Sequence, residues 1–266
     1  MINFKLKELD EILAWGQEPG LSLHWFGLTE GDLWLTFGNV TIYEYSKEAI
    51  DYWGNKPTPY NDYQISRFIE DFTELFGKIR ETIPEGLYNL TKDLKFFHSQ
   101  AQRWLDIYEL DEDTYNDFYF QEYDKLISWT HQRTIYSGHL IGGPQLSFFR
   151  RNDKVRIVWD TEHILENGIY LWTAKNGSFE MDYSAFKEKV RVFGQSFFTR
   201  MDKQIESAVA KDWGNIKIDR QRLVEEHKER KNDFFAALLL LDQESTDKTN
   251  WAETEHLFNR MTNEIK

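Results

Sequence analysis

The chain contains no cysteine among its 266 residues. Disulfides, thiolate metal sites and a cysteine nucleophile are excluded together. Long hydrophobic runs are missing too. The longest, FFAALLLL at 234–241, falls far short of the roughly 20 residues that a membrane span needs, and KERKND and DQESTDK flank it. The first residues, MINFKLKELDEILAWG, are charged throughout and lack the apolar core of a secretion signal, so a cytoplasmic location is expected.

Positive charge is in short supply. Against 45 Asp and Glu stand 32 Lys and Arg, a formal charge of −13. Such a field repels nucleic-acid phosphates and anionic lipid, and it attracts basic partners. The one dense basic run, RQRLVEEHKERKND at 220–233, has acids interleaved and reads as a solvated helix face. Aromatic residues are in excess, with 10 Trp, 13 Tyr and 20 Phe. They suit a thick core, and a surplus suits a recognition surface.

Alternation and turn residues predict two antiparallel meanders. The first joins LHWF (23–26), LWLTF (33–37) and VTIYEY (40–45), with Gly38-Asn39 as a two-residue hairpin loop. The second covers 145–181. In it QLSFFRR and KVRIVWD flank Asn152-Asp153, which sets Leu146 opposite Trp159, Phe148 opposite Ile157 and Phe149 opposite Arg156. IYLWTAK and SFEM flank Asn176-Gly177 as its second hairpin.

Helical periodicity fills most of the rest. SKEAIDYW reads as a short helix, and Ile65, Phe68, Ile69, Phe72, Leu75, Phe76 and Ile79 form one apolar stripe. Further helices are predicted at about 97–110, 114–131, from 182 to the DWGN stop at 212–215, at 218–242 and at 249–265. Strands in hairpins and helices in runs give an α+β fold rather than a parallel α/β one. The expected division is one domain over 1–212 and a helical extension over 213–266.

Motifs of chemistry are few. In SGHLIGGPQLSFFRR (137–151) the glycine pair invites a phosphate-cradle reading, but Pro144 removes a donor, no Lys-Ser/Thr follows, and the next element is a strand. It reads as the bend that feeds a hairpin. The acidic run DEDTYNDFYFQE (111–122) places Asp111, Asp113, Asp117 and Glu122 at calcium-loop positions 1, 3, 7 and 12. Asn116 stands where the loop needs glycine, so a helix N-terminus is the better reading. The seven histidines show no HExxH pattern, and no G-x-S-x-G elbow occurs. One grouping remains, in which His131, Arg133 and His139 line a polar pocket near Asp160. Its plain alternative is basic groups complementing a helix C-terminus. No cofactor and no metal is expected.

Four stretches together resemble an uncharacterised bacterial family known only as a domain of unknown function: LSLHWFGLTEGDLWL (21–35), PYNDYQISRFIEDF (59–72), SGHLIGGPQLSFFRRNDKVRIVWD (137–160) and YLWTAKNGSFEMDYSAFKEKVRVF (170–193). The resemblance covers about 1–210 and leaves the tail outside. It implies that 1–210 is one unit and supplies no activity, cofactor or catalytic residue.

Charge, aromatic content and the failure of each catalytic motif point to an acidic, cofactor-free protein-binding module. An immunity or antitoxin-like inhibitor of a basic toxin enzyme is one instance. The partner expected is a basic protein, not nucleic acid or a membrane. Two alternatives stand beside it: an enzyme of unrecognised type, for example a hydrolase using carboxylates and His131, and a structural or regulatory subunit assembling through the C-terminal helices.

Overall fold

The structure is a computed structural model that describes residues 1–54, 58–108, 118–245 and 248–265. Its antiparallel sheets and many helices make an α+β fold. The acidic run 111–122, read as a helix N-terminus, lies mostly outside the described residues.

The first sheet is built on β2 (Glu30–Phe37). β1 (Ile2–Leu6) pairs along one of its edges, with Ile2 opposite Leu35 and Leu6 opposite Gly31. β3 (Val40–Ile42) and β4 (Asn61–Gln64) share the other edge, through Phe37–Val40 and Gly31–Tyr63. Gly38, at φ 57°, makes the tight turn expected between β2 and β3.

LHWF is not a strand of this sheet. With β1 on one edge and β4 on the other, β2 has no edge left for it. Leu23, Trp25 and Leu28 are instead all buried, and the Trp25 indole N–H donates to His227 Nδ1 at 3.2 Å.

The second sheet runs β5 (Thr134–Ile135), β6 (Gln145–Arg151), β7 (Lys154–Asp160) and β8 (Gly177–Asp182) in that order. The register across the Asn152-Asp153 turn is the one the alternation dictates, with Phe148 on Ile157 and Leu146 on Trp159. IYLWTAK, however, does not enter the sheet. β8 takes the free edge of β7 directly, and residues 161–176 loop out. Asn176 Oδ1 accepts the Thr161 N–H at 2.8 Å, and the Thr161 hydroxyl donates to the Ala174 carbonyl at 2.7 Å, which closes the neck of that loop.

β6 and β7 of this second sheet are largely buried on both faces, whereas β8 leaves one face exposed. Leu146, Phe148, Ile157, Trp159 and Phe179 face a first apolar cluster shared with β1–β3. The same cluster takes in α2 (Ile65–Glu74), α3 (Phe76–Ile79), α7 (Tyr183–Ala210) and α8 (Arg220–Leu240). The stripe predicted over 65–79 is buried as a unit although the helix breaks at Leu75. Phe149 points the other way, into a second cluster. That cluster is built by α4 (Glu85–Leu90), α5 (Leu94–Tyr108), α6 (Phe118–His131) and α9 (Trp251–Glu264). The remaining helix, α1 (Lys47–Trp53), is capped by the Ser46 hydroxyl, which accepts from the Ala49 N–H.

The tail is part of these cores. Leu223, Phe234 and Leu238 sit in the first cluster, Leu257 and Met261 in the second. No gap in packing marks the expected boundary at 212/213, where Trp213 is buried with its indole N–H on the Ala208 carbonyl at 2.8 Å.

α7 and α8 pack tightly at Gly194, where an added Cβ would lie 2.0 Å from Phe234 Cε1. Gly194→Ala is therefore expected to cost about 1–3 kcal/mol despite the better helix propensity of alanine. Urea unfolding should show a lowered midpoint, restored in part by Phe234→Leu in the same chain. An unchanged midpoint would mean that this contact relaxes freely.

Candidate functional site

Arg133 follows the last turn of α6, where the chain turns into β5. Its side chain has no solvent exposure. Nη2 lies 2.5 Å from Glu81 Oε2, Nη1 donates to the Trp129 carbonyl at 2.8 Å, and the guanidinium stands 5.2 Å from the Trp251 ring centre. Glu81, itself buried, also accepts the Thr249 N–H at 2.6 Å and the Thr249 hydroxyl at 2.7 Å. Burial lowers the Arg133 pKa to about 10, with Glu81 opposing, so it stays charged at neutral pH. Breaking such a pair typically costs about 3–5 kcal/mol. Arg133 thus belongs to the interior, not to a pocket wall.

The other three grouped residues divide between two places. His139 stacks on Tyr63 at 5.0 Å between ring centres, with Nδ1 4.0 Å from Asp71, and lines a shallow depression with Arg67 and Ser137. Asp160, at the end of β7, lines a different cleft of about 300 Å³ between the second sheet and the start of α5. His98 and Tyr136 line this cleft too, and the exposed ring of His131 meets both from outside, at 5.6 Å and 6.0 Å. The structure therefore brings His131 close to the cleft of Asp160 and leaves Arg133 and His139 out of it.

The cleft exists because the sheet floor is made of small residues. Thr134, Ser147, Val158 and Ser178 lie side by side across the four strands. One row further along, Phe149 and Arg156 fill the space up to the helices. Short side chains in one row and large ones in the next leave a void, since helices over a sheet stand roughly 10 Å away.

His98 is the residue that sequence reasoning passed over. Its Nε2 lies 2.9 Å from Thr130 Oγ1, and the Thr130 hydroxyl donates to the Ile127 carbonyl at 2.7 Å. Thr130 therefore accepts, which makes His98 the Nε2–H tautomer and leaves a lone pair on Nδ1. Burial, aided by the like charge of His131, lowers the His98 pKa to about 4. The only signal in the sequence is its place beside the stripe of Phe97, Ala101 and Trp104.

A second feature is apolar. Tyr52, Trp53, Ile141, Ile164 and Tyr170 are all exposed, Ile141 at 86%. They lie on adjoining segments. Ile164 bridges to Tyr170, whose carbonyl accepts the Ser46 hydroxyl at 2.6 Å. The Tyr45 ring meets both Trp53 and Trp172, and the Trp172 indole N–H donates to the Gly142 carbonyl at 2.7 Å. The glycine loop thus acts as a bend pinned by Trp172. Segments 44–53 and 160–172 carry six acids (Glu44, Glu48, Asp51, Asp160, Glu162 and Glu166) against Lys47 alone.

The fold is α+β, with exposed apolar side chains on acid-rich adjoining segments and a small polar cleft at the end of β7. Among the described residues no group of three or more His, Cys, Asp or Glu is placed to hold a metal, and no helix is long and apolar enough to cross a membrane. Residues 1–257 match the family of unknown function DUF5984, and the chain belongs to that family. The match takes in α8 and half of α9, well past the limit of 210 that the resemblance suggested. Neither a curated protein nor a solved structure matches the chain.

The depressed pKa of His98 has a consequence for stability. Between pH 6.5 and about 4 the unfolded chain binds a proton at His98 that the folded chain does not. Folding stability should fall as pH drops through that window. Denaturant titrations at pH 7 and pH 4.5 should show a smaller acid loss for His98→Gln than for the wild type. An equal loss in both would mean that His98 titrates normally.

Proposed function

We propose that this chain is an acidic protein-binding module that docks a basic protein through the patch of Tyr52, Trp53, Ile141, Ile164 and Tyr170. The observation that carries the reading is the patch itself. Five large apolar side chains on adjoining segments are left in water, and the segments beside them are six-to-one acidic. Exposed contiguous apolar surface rimmed by polar groups is the usual form of an interaction site. Tyr and Trp anchors supply contact area at low entropic cost, and the acidic rim together with the charge of −13 speeds encounter with a basic partner. An inhibitor of a basic toxin enzyme, of the immunity or antitoxin kind, is the instance this chemistry suits.

The alternatives draw less support. A hydrolase using carboxylates and His131 would draw on the cleft of Asp160, which the His131 ring meets only from outside, and the neighbouring Arg133 is sealed inside an ion pair with Glu81. For a subunit assembling through its tail, the stripe of Trp251, Phe258, Met261 and Ile265 faces the chain's own second cluster.

The test is capture by immobilised protein from source lysate, followed by affinity measurement with the purified partner. The wild type should retain one stoichiometric basic chain at low salt and hold it more weakly at high salt. Ile164→Ser with Tyr170→Ser should weaken that complex at least about tenfold while the circular dichroism and Tm stay unchanged. Retention of no partner, or of one that binds both proteins equally, would overturn the reading.

A further inference from the structure

The cleft between α5 and the second sheet has a chemical polarity of its own. On its inner wall the hydrogen-bond donors of His98, Thr134 and Ser147 are spent pointing away from it, whereas Lys92, Gln145, Tyr136, Asn176 and Ser178 line the rest. The His98 Nε2–H goes to Thr130, whose own hydrogen goes to the Ile127 carbonyl. Thr134 donates its hydrogen to the Thr130 carbonyl at 2.8 Å, so in its 2.7 Å contact with Ser147 it can only accept. Ser147 must then be the donor. Both chains drain their hydrogens into the C-terminal turn of α6. What remains on the inner wall is a set of acceptors: the lone pairs of Ser147 Oγ and His98 Nδ1. His98 Nδ1 has no hydrogen-bond partner and is not among the sealed polar atoms of the described residues.

Charge points the same way. Lys92 and Lys95 stand at the helix side of the cleft, and Asp93 and Asp160 also line it. Lys95 is already taken by Glu162. Counting Glu162, three carboxylates face two ammonium groups. Asp160 offers a carboxylate of which one oxygen accepts the Glu162 N–H at 3.0 Å. Val158 and Tyr136 supply apolar surface beside these groups. The volume of about 300 Å³ is at the small end of ligand pockets.

We propose that this cleft binds a small organic cation. Its ammonium or guanidinium group donates to Asp160, Ser147 and His98 Nδ1, and its short alkyl part lies on Val158 and Tyr136. An anion would meet lone pairs at the inner wall, and a neutral diol would leave the surplus of carboxylate over ammonium groups uncompensated. This site takes Asp160 from the acidic segments beside the patch but none of the patch's five apolar side chains, so either can fail without the other.

Agmatine and putrescine are the probes, with 1,4-butanediol as the neutral and glutarate as the anionic comparison, titrated calorimetrically into the full chain. At least one amine should bind with Kd below about 1 mM, whereas the diol and the diacid should not saturate. Asp160→Asn keeps the acceptor for the Glu162 N–H and should weaken the amine at least about tenfold. Ser178→Trp, which fills the cleft from exposed β8, should abolish binding with the circular dichroism unchanged. The Ile164→Ser with Tyr170→Ser variant should bind the amine as the wild type does. The proposal is overturned if neither amine saturates, if glutarate binds in their place, or if both cleft variants bind as tightly as the wild type.

Discussion

The contact on which the second half of this molecule depends is the buried pair of Arg133 and Glu81. Two opposite charges inside a protein are costly unless their geometry is good and their remaining hydrogen-bonding capacity is met. Here Glu81 accepts three donors, from Arg133 and from the backbone and hydroxyl of Thr249. Arg133 places its Nη1 on the Trp129 carbonyl and its plane toward Trp251. One carboxylate thereby joins the segment after α3, the end of α6 and the start of α9. The Arg133 Nε, like the indole N–H of Trp129, is left buried without a partner. That cost is tolerable only because the surrounding pair is held firmly.

From that joint the architecture follows. α9 completes the second apolar cluster by bringing Leu257 and Met261 against Trp104, whose indole N–H donates to Glu264 at 2.7 Å. α5 and α6 are thereby fixed over the outer face of the second sheet. Where that face carries Phe149 and Arg156 the layers meet, and where it carries Ser147, Val158 and Ser178 they part to form the cleft. The loop of 161–176, excluded from the sheet because β8 pairs directly with β7, carries Ile164 and Tyr170 out into solvent. The cleft thus lies at the floor of this sheet, and two of the patch's five side chains lie on the loop beyond its rim.

Much of this was legible in the amino-acid sequence. The register across Asn152-Asp153 followed from alternation, and the stripes of α2–α3 and α7 followed from spacing, because each depends only on neighbours along the chain. The excursion of IYLWTAK did not, since it turns on which strand wins the free edge of β7. The role of Arg133 was hidden for the same reason. Its environment is set by Glu81, 52 residues away, and by Thr249 beyond that. His98 was passed over because a histidine beside an apolar stripe carries no mark of chemistry. Only the row of small residues opposite makes its neighbourhood a cleft. Asp160, by contrast, does line a polar cavity, and the aromatic surplus does leave Tyr and Trp side chains in water.

Hydrogen exchange measured by mass spectrometry on Glu81→Gln tests the dependence on the buried pair most directly. Glutamine keeps the shape and removes the charge. If the pair holds the second layer, amides of α9, α5 and α6 should lose protection together, while β1, β2 and α7 keep theirs. Unchanged protection in α9, or a loss spread evenly over the chain, would contradict the account.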